Sequence, residues 1–174
     1  MQLGRRIGAQ TLYKYYDAFG LFDKVGTSFA RAYSGSFHNI ETMGPVELAT
    51  TSFGENFTIS PLQLIAAVGS IANDGVYVKP RIVKQIENTD EKSIENVEVQ
   101  EIRQVVSLET SQKIKNMMQS VVTNGTGRYA KVEGYSVGGK SGTSEPTEAN
   151  ADEGYVASFI AIAPTENPEP VVNE

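Results

Sequence analysis

Cysteine is absent from the 174 residues. This excludes a disulfide framework, a thiol nucleophile and any thiolate metal site. Histidine occurs once, at His38; one imidazole builds no multi-histidine metal centre, and the surrounding sequence reads as loop or surface. No apolar run approaches the roughly 18 residues that a membrane span needs, and no charged-then-apolar signal pattern stands at the start. Charge of neither sign gathers into a run. Fifteen Lys and Arg stand against twenty-one Asp and Glu, for a net −6. A surface that tracks phosphates needs clustered cations, so nucleic acid is not expected as the main partner. Proline and glycine are ordinary at 7 and 16, no repeat of solenoid length is present, and the length suits one domain.

Hydrophobic spacing predicts a helix that starts almost at Met1 and contains Leu12, Tyr15, Tyr16 and Phe19, with Gly20 as its stop. From about Phe22 to Phe57 the periodicity fades, which predicts loop and short turns bordering a site. Ser60-Pro61 then opens a second helix, with a capping Ser and Pro at the first helical position. Its apolar residues (Leu62, Leu64, Ile65, Ala66, Ala67, Val68, Ile71) lie almost all round, so it is expected to be buried on most sides. β-type runs near Val76–Ile86 and Val97–Val106 flank a polar stretch, Glu87–Asn96, expected as an exposed turn. Ser107 caps a third helix whose stripe of Ile114, Met117, Met118, Val121 and Val122 predicts core packing. Asn124-Gly125-Thr126-Gly127 ends it. A strand near Tyr135–Ser144, an acidic loop and an apolar run, Tyr155–Ala163, expected as an internal strand, complete the pattern.

The chemistry concentrates at Gly138-Gly139-Lys140-Ser141-Gly142-Thr143-Ser144. From Gly134 to Ser141 the spacing satisfies G-x-x-x-x-G-K-S/T, a phosphate loop in which Lys140 would reach a terminal phosphate and Ser141 would hold Mg²⁺. That loop needs an apolar strand before it and a helix after it. Arg128–Glu133 is a poor buried strand, and Gly-Thr-Ser-Glu-Pro-Thr-Glu is a poor helix. The other reading places Lys140–Ser144 in a strand, with Lys140 and Gly142 on one face and Ser141 and Thr143 on the other. An edge strand of that kind pairs with an extended peptide and offers an amide to a developing oxyanion. A strand with a plain surface lysine remains the bland alternative.

Lys140-Ser141-Gly142-Thr143 resembles the third motif, K-T/S-G, of the penicillin-binding proteins, serine D,D-transpeptidases that cross-link peptidoglycan. Further segments resemble the same family in the same order. They are Leu3-Gly4 through Phe19-Gly20, similar to the helix after the second motif of the monofunctional class B branch; Phe53-Gly54-Glu55-Asn56-Phe57-Thr58-Ile59-Ser60-Pro61-Leu62-Gln63-Leu64 followed by Ala72-Asn73-Asp74-Gly75; and Asn124-Gly125-Thr126-Gly127. The similarity runs from about residue 1 to residue 172. Two family motifs are missing: no Ser stands three residues before any Lys, so S-x-x-K is absent, and so is S-x-N.

The resemblance implies a mixed α+β chain, a partial serine β-lactamase/D,D-transpeptidase-like fold with an antiparallel sheet and packed helices. Residues 1–174 are then expected to be the C-terminal portion of a single, incomplete transpeptidase domain, without the nucleophile region or the last strand and helix. It assigns Lys140 a catalytic, electrostatic role, Ser141 and Gly142 to the substrate strand, with the Ser141 hydroxyl on the substrate carboxylate, and the Thr143 amide half of an oxyanion hole. It implies no cofactor or metal. Partners of the parent would be the D-Ala-D-Ala stem peptide, β-lactams and cell-wall synthesis proteins, with a membrane anchor holding the domain outside the cytoplasmic membrane. The isolated residues are expected to be inactive and to self-associate through the unpaired edge of Tyr155–Ala163. A non-catalytic scaffold on the same fold is the alternative, and a nucleotide-binding protein the remote one.

Overall fold

The computed structural model describes residues 1–27, 30–33, 35–144 and 154–166. They form two compact units, one of Met1–Ser70 with Val76–Val105 and one of Ile71–Gly75 with Val106 onward.

In the first unit the single helix expected at the start is two, α1 (Gln2–Ile7) and α2 (Ala9–Ala18). Gly8 separates them at φ +81°, a left-handed backbone that glycine adopts without steric cost. One side of α2 builds an aromatic core. Tyr13 and Tyr16 stack at 5.7 Å, Phe22 meets Phe37 edge-on at 4.7 Å, and Phe37 stacks on Phe57 at 5.3 Å. Both hydroxyls find backbone partners: Tyr16 donates to the Thr51 carbonyl at 2.7 Å and Tyr13 to that of His38 at 2.6 Å. Burial, reinforced by the neighbouring Tyr13, pushes the Tyr16 hydroxyl up to about 12. His38 lies in a loop, as expected. The stretch from 22 to 57 is less irregular than its sequence suggests. It contains an antiparallel pair, β1 (Val25–Thr27) and β2 (Ala30–Tyr33), and a short helix, α3 (Pro45–Thr51).

Helix α4 (Pro61–Ala72) starts where Ser60-Pro61 places it. Ser60 and Gln63 close a reciprocal capping box: the Gln63 N–H donates to Ser60 Oγ at 3.2 Å, and Gln63 Oε1 accepts from the Ser60 N–H at 2.8 Å. The fully buried Gln63 then reaches across the chain, its Nε2 donating to the carbonyls of Leu21 (2.9 Å) and Asp23 (3.0 Å). Ala66, Ala67 and Ser70 are buried, whereas Leu64 and Ile65 are 38% and 53% exposed. The helix is thus covered on one side, not on most.

Strands β3 (Val76–Val78) and β6 (Glu101–Gln104) pair antiparallel with Tyr77 opposite Arg103. The Arg103 guanidinium lies 4.8 Å from the Tyr77 ring centroid and closes the end of α2, donating to the carbonyls of Ala18 (2.7 Å) and Asp17 (2.8 Å). The polar stretch expected as a turn is itself a hairpin, β4 (Gln85–Asn88) paired residue for residue with β5 (Ser93–Asn96). All eight strand residues are exposed, and without a buried face there is no apolar alternation to read.

The second unit is built on α5 (Leu108–Asn124), capped by Ser107, whose Oγ accepts from the Thr110 N–H. Its buried line is the expected stripe only in part: Val122 lies on it, and Ile114, Met118 and Val121 are half-buried. Ser111, Lys115 and Val122 are buried, while Met117 is 67% exposed. Two polar heads turn inward because each has a partner on the Ile71–Gly75 segment. Ser111 Oγ donates to the Ile71 carbonyl at 2.6 Å, and Lys115 Nζ pairs with Asp74 at 2.9 Å. A single 3₁₀ turn (Arg128–Ala130) follows α5, and then an antiparallel pair, β7 (Gly138–Ser144) and β8 (Val156–Ile162). Among the described residues β8 pairs with β7 alone, and Val156 and Phe159 remain 63% and 41% exposed, so it is not the internal strand its apolar run suggests. Helices and short antiparallel sheets together give the mixed α+β class expected from the sequence.

Candidate functional site

Lys140, Ser141, Gly142 and Thr143 lie side by side within β7, in register with Ile160, Phe159, Ser158 and Ala157 of β8. A phosphate loop would set Lys140 and Ser141 at the N-terminus of a helix. They sit inside a strand that continues to Ser144 instead, which removes the nucleotide-binding reading. Alternation along β7 puts Lys140 and Gly142 on one face with Ser158 and Ile160, and Ser141 and Thr143 on the other with Ala157 and Phe159.

The peptide planes can be followed through one contact. Ser158 Oγ lies 3.5 Å from the Gly142 carbonyl oxygen, so that carbonyl faces β8. A trans peptide sets N–H opposite C=O, which turns the Thr143 N–H to the other edge of β7. In a strand the next carbonyl back, that of Ser141, points to this same edge. There it accepts from Lys140 Nζ at 2.5 Å. The ammonium of Lys140 and the N–H of Thr143 therefore share one edge, and among the described residues no other strand pairs with it. Lys140 and Thr143 are exposed, Ser141 and Gly142 half-buried. An edge with a cation, a hydroxyl and an outward N–H suits an extended ligand that carries negative charge.

Three glycines let other chain segments reach this strand. A Cβ on Gly138 would lie 2.9 Å from the Gln119 nitrogen, so α5 runs against the start of β7. A Cβ on Gly142 would lie 2.7 Å from Ser158 Oγ. A Cβ on Gly139 would lie 2.4 Å from Cζ of Phe159, whose ring covers that position; the same ring is 3.3 Å from where a Cβ on Gly127 would be. Phe159 thus joins the Asn124–Gly127 turn to the strand, two segments that the sequence pattern had singled out separately. Nothing in the local sequence distinguishes Phe159 or Ser158 from the rest of the apolar run; the signal for the ring is the glycine ahead of Lys140, Gly139.

The same arrangement of elements recurs in solved structures. Penicillin-binding protein 3 of Mycobacterium tuberculosis, in its complex with ampicillin, superposes with a TM-score of 0.87 at 30% identity, covering 97% of this chain and 39% of that one. The transpeptidase domain of penicillin-binding protein 3 from Burkholderia pseudomallei superposes at 0.80 with 29% identity, covering 96% and 49%. The family model for the penicillin binding protein transpeptidase domain matches residues 1–173. The chain belongs to the penicillin-binding protein transpeptidase family. Stage V sporulation protein D of Bacillus subtilis (strain 168) is 38% identical over 175 residues, 99% of this chain and 27% of that protein. Penicillin-binding protein PbpB of Mycolicibacterium smegmatis is 31% identical over 183 residues, 99% of this chain and 28% of that protein. The chain spans less than a third of the length of these curated relatives.

Proposed function

We propose that residues 1–174 are the C-terminal portion of a peptidoglycan D,D-transpeptidase domain and carry its substrate strand. The observation that supports this most directly is the shared edge of β7, where the Lys140 ammonium and the Thr143 N–H lie together. On this reading a stem peptide ending in D-Ala-D-Ala, or a β-lactam in its place, extends along that edge. The Ser141 hydroxyl takes the terminal carboxylate, Gly142 keeps the strand narrow beside it, and the Thr143 N–H faces the carbonyl that becomes an oxyanion. Lys140 supplies positive charge between the substrate and a serine nucleophile contributed by the rest of the parent protein. Serine attack expels D-Ala and leaves an acyl-enzyme, which the amine of a second stem peptide resolves. The parent would work at the outer side of the cytoplasmic membrane with other cell-wall synthesis proteins; among the described residues no helix is long and apolar enough to cross a membrane.

Alone, these residues hold no S-x-x-K serine, and loss of a nucleophile costs on the order of 10⁶-fold in a serine enzyme. The chain is therefore inactive by itself. The test pairs two samples. The protein completed by the reading frame around these residues is expected to contain S-x-x-K and S-x-N and to bind labelled penicillin covalently, with Lys140→Ala slowing labelling by at least about 100-fold, the scale of losing one preorganised electrostatic group. The 174 residues alone are expected to give no adduct by mass spectrometry. An adduct on the isolated chain, or unslowed labelling of Lys140→Ala, overturns the assignment; a frame without the two motifs makes the chain a non-catalytic scaffold. The uncharged run of β8, Val156–Ile162, pairs with one strand only among the described residues, and an open strand edge of this kind favours association between copies. Sedimentation velocity is expected to show dimers or larger species as concentration rises, and a strict monomer refutes that part.

A further inference from the structure

We propose that Phe159 is a positioning residue for the substrate strand, acting through Gly139 and the Asn124–Gly127 turn. The proposal rests on the reading of β7 given above and adds to it the group that fixes where the strand lies. Phe159 is the direct cross-strand partner of Ser141, so both side chains stand on one face of the pair. The ring leans along β7 onto Gly139, where a Cβ would come within 2.4 Å of Cζ and 2.5 Å of Cε1. On its other side it meets Gly127, at 3.3 Å from a Cβ placed there. One aromatic ring therefore fills the space of two missing side chains and ties the glycine turn to the residue just before Lys140. Gly139 is buried while Phe159 is 41% exposed, so the ring serves as a wedge against the strand rather than as part of a closed core. Small errors in the placement of reacting groups cost up to about 100-fold in rate, and the ring over Gly139 bears on the residue directly before Lys140.

The test uses labelled penicillin on the completed protein and separates rate from yield. Phe159→Ala is expected to lower the acylation rate constant at saturating penicillin ten- to a hundredfold. Phe159→Leu, which still fills the space over Gly139, is expected to stay within about threefold of the parent. A purely structural role would reduce the fraction of molecules labelled and leave the rate constant of that fraction unchanged. Gly139→Ala places a methyl against the ring and 2.7 Å from the Ile160 carbonyl oxygen; it is expected to slow acylation on its own and to do so less in the Phe159→Ala background, where only the carbonyl contact remains. A parent-like rate constant in Phe159→Ala, or equal effects of Gly139→Ala in both backgrounds, overturns the proposal while leaving the assignment of Lys140 and Ser141 intact. That assignment fails separately, through Lys140→Ala. A second measurement needs no acylation. In the 174-residue chain itself, hydrogen exchange at the Lys140 and Gly142 amides, which face β8, is expected to accelerate at least tenfold in Phe159→Ala, and unchanged exchange there also refutes the wedge.

Discussion

Gln63 offers the sharpest test of how the first unit is held together. Its side chain is fully buried and joins two parts of the chain that are about forty residues apart. Replacement by Ala removes the Oε1 half of the capping box at α4, worth about 1 kcal/mol at a helix N-terminus. It also strips donors from two backbone carbonyls. That of Leu21 belongs to a buried residue, whereas Asp23 is exposed, so water replaces the donor at Asp23 but not at Leu21. An unpaired buried carbonyl costs about 1–3 kcal/mol. Together the change is about 3 kcal/mol, or roughly 6–12 °C in Tm for a chain of this size. Gln63→Leu keeps the volume and loses only the hydrogen bonds, so it separates the polar contribution from the cavity. Urea denaturation followed by far-ultraviolet circular dichroism, with calorimetry for Tm, measures both variants. If both stay within about 0.5 kcal/mol of the parent, the bonds from Gln63 to Leu21 and Asp23 carry no stability and the reasoning is wrong.

Tyr16 sets the alkaline limit. Its folded value, about 12, lies above the ordinary tyrosine value of 10.0 because burial and then Tyr13 disfavour the phenolate. A raised value means that the stabilisation is complete below pH 10 and is lost as pH climbs towards 12, an amount on the order of 2 kcal/mol. Absorbance titration at the phenolate band is expected to show a late step that vanishes in Tyr16→Phe, and a titration ending near pH 10 in the parent refutes it. Lys115→Met keeps the apolar stem of a buried side chain but deletes its bond to Asp74; urea denaturation is expected to show a loss of about 1–2 kcal/mol, and no loss would mean that the pair is idle. Ser141→Ala in the completed protein is expected to weaken penicillin capture about ten- to a hundredfold, the worth of one hydrogen bond to a carboxylate, with the rate constant at saturation changed much less. A fall in the saturating rate alone would contradict the carboxylate-binding role.

What the sequence made legible was what short separations decide. The start of α4 could be read because Ser60 and Pro61 act within one turn, and the Lys140–Thr143 strand because alternation and a family motif agree over a few residues. The bonds of Gln63 to Leu21 and Asp23 were invisible because nothing local distinguishes an amide that caps its own helix from one that also clamps a distant loop. On α5 the search for an apolar stripe favoured Met117, yet the face turned inward carries Ser111 and Lys115; hydrophobic periodicity has no means of scoring a buried lysine whose partner, Asp74, is set by another helix's end. The exposed β4–β5 hairpin failed for the opposite reason, having no buried face and so no pattern. At the candidate site the same division holds. The residues expected to meet a ligand are contiguous and could be named, but the ring that holds them stands eighteen positions from Ser141 and is fixed only by the β7–β8 register. Shift that register by one residue and Phe159 moves to the Lys140 face, leaving Gly139 uncovered. The two glycines before Lys140 are thus one half of a contact whose other half lies across the sheet, and a motif that stops at K-S-G-T omits the element that keeps it straight.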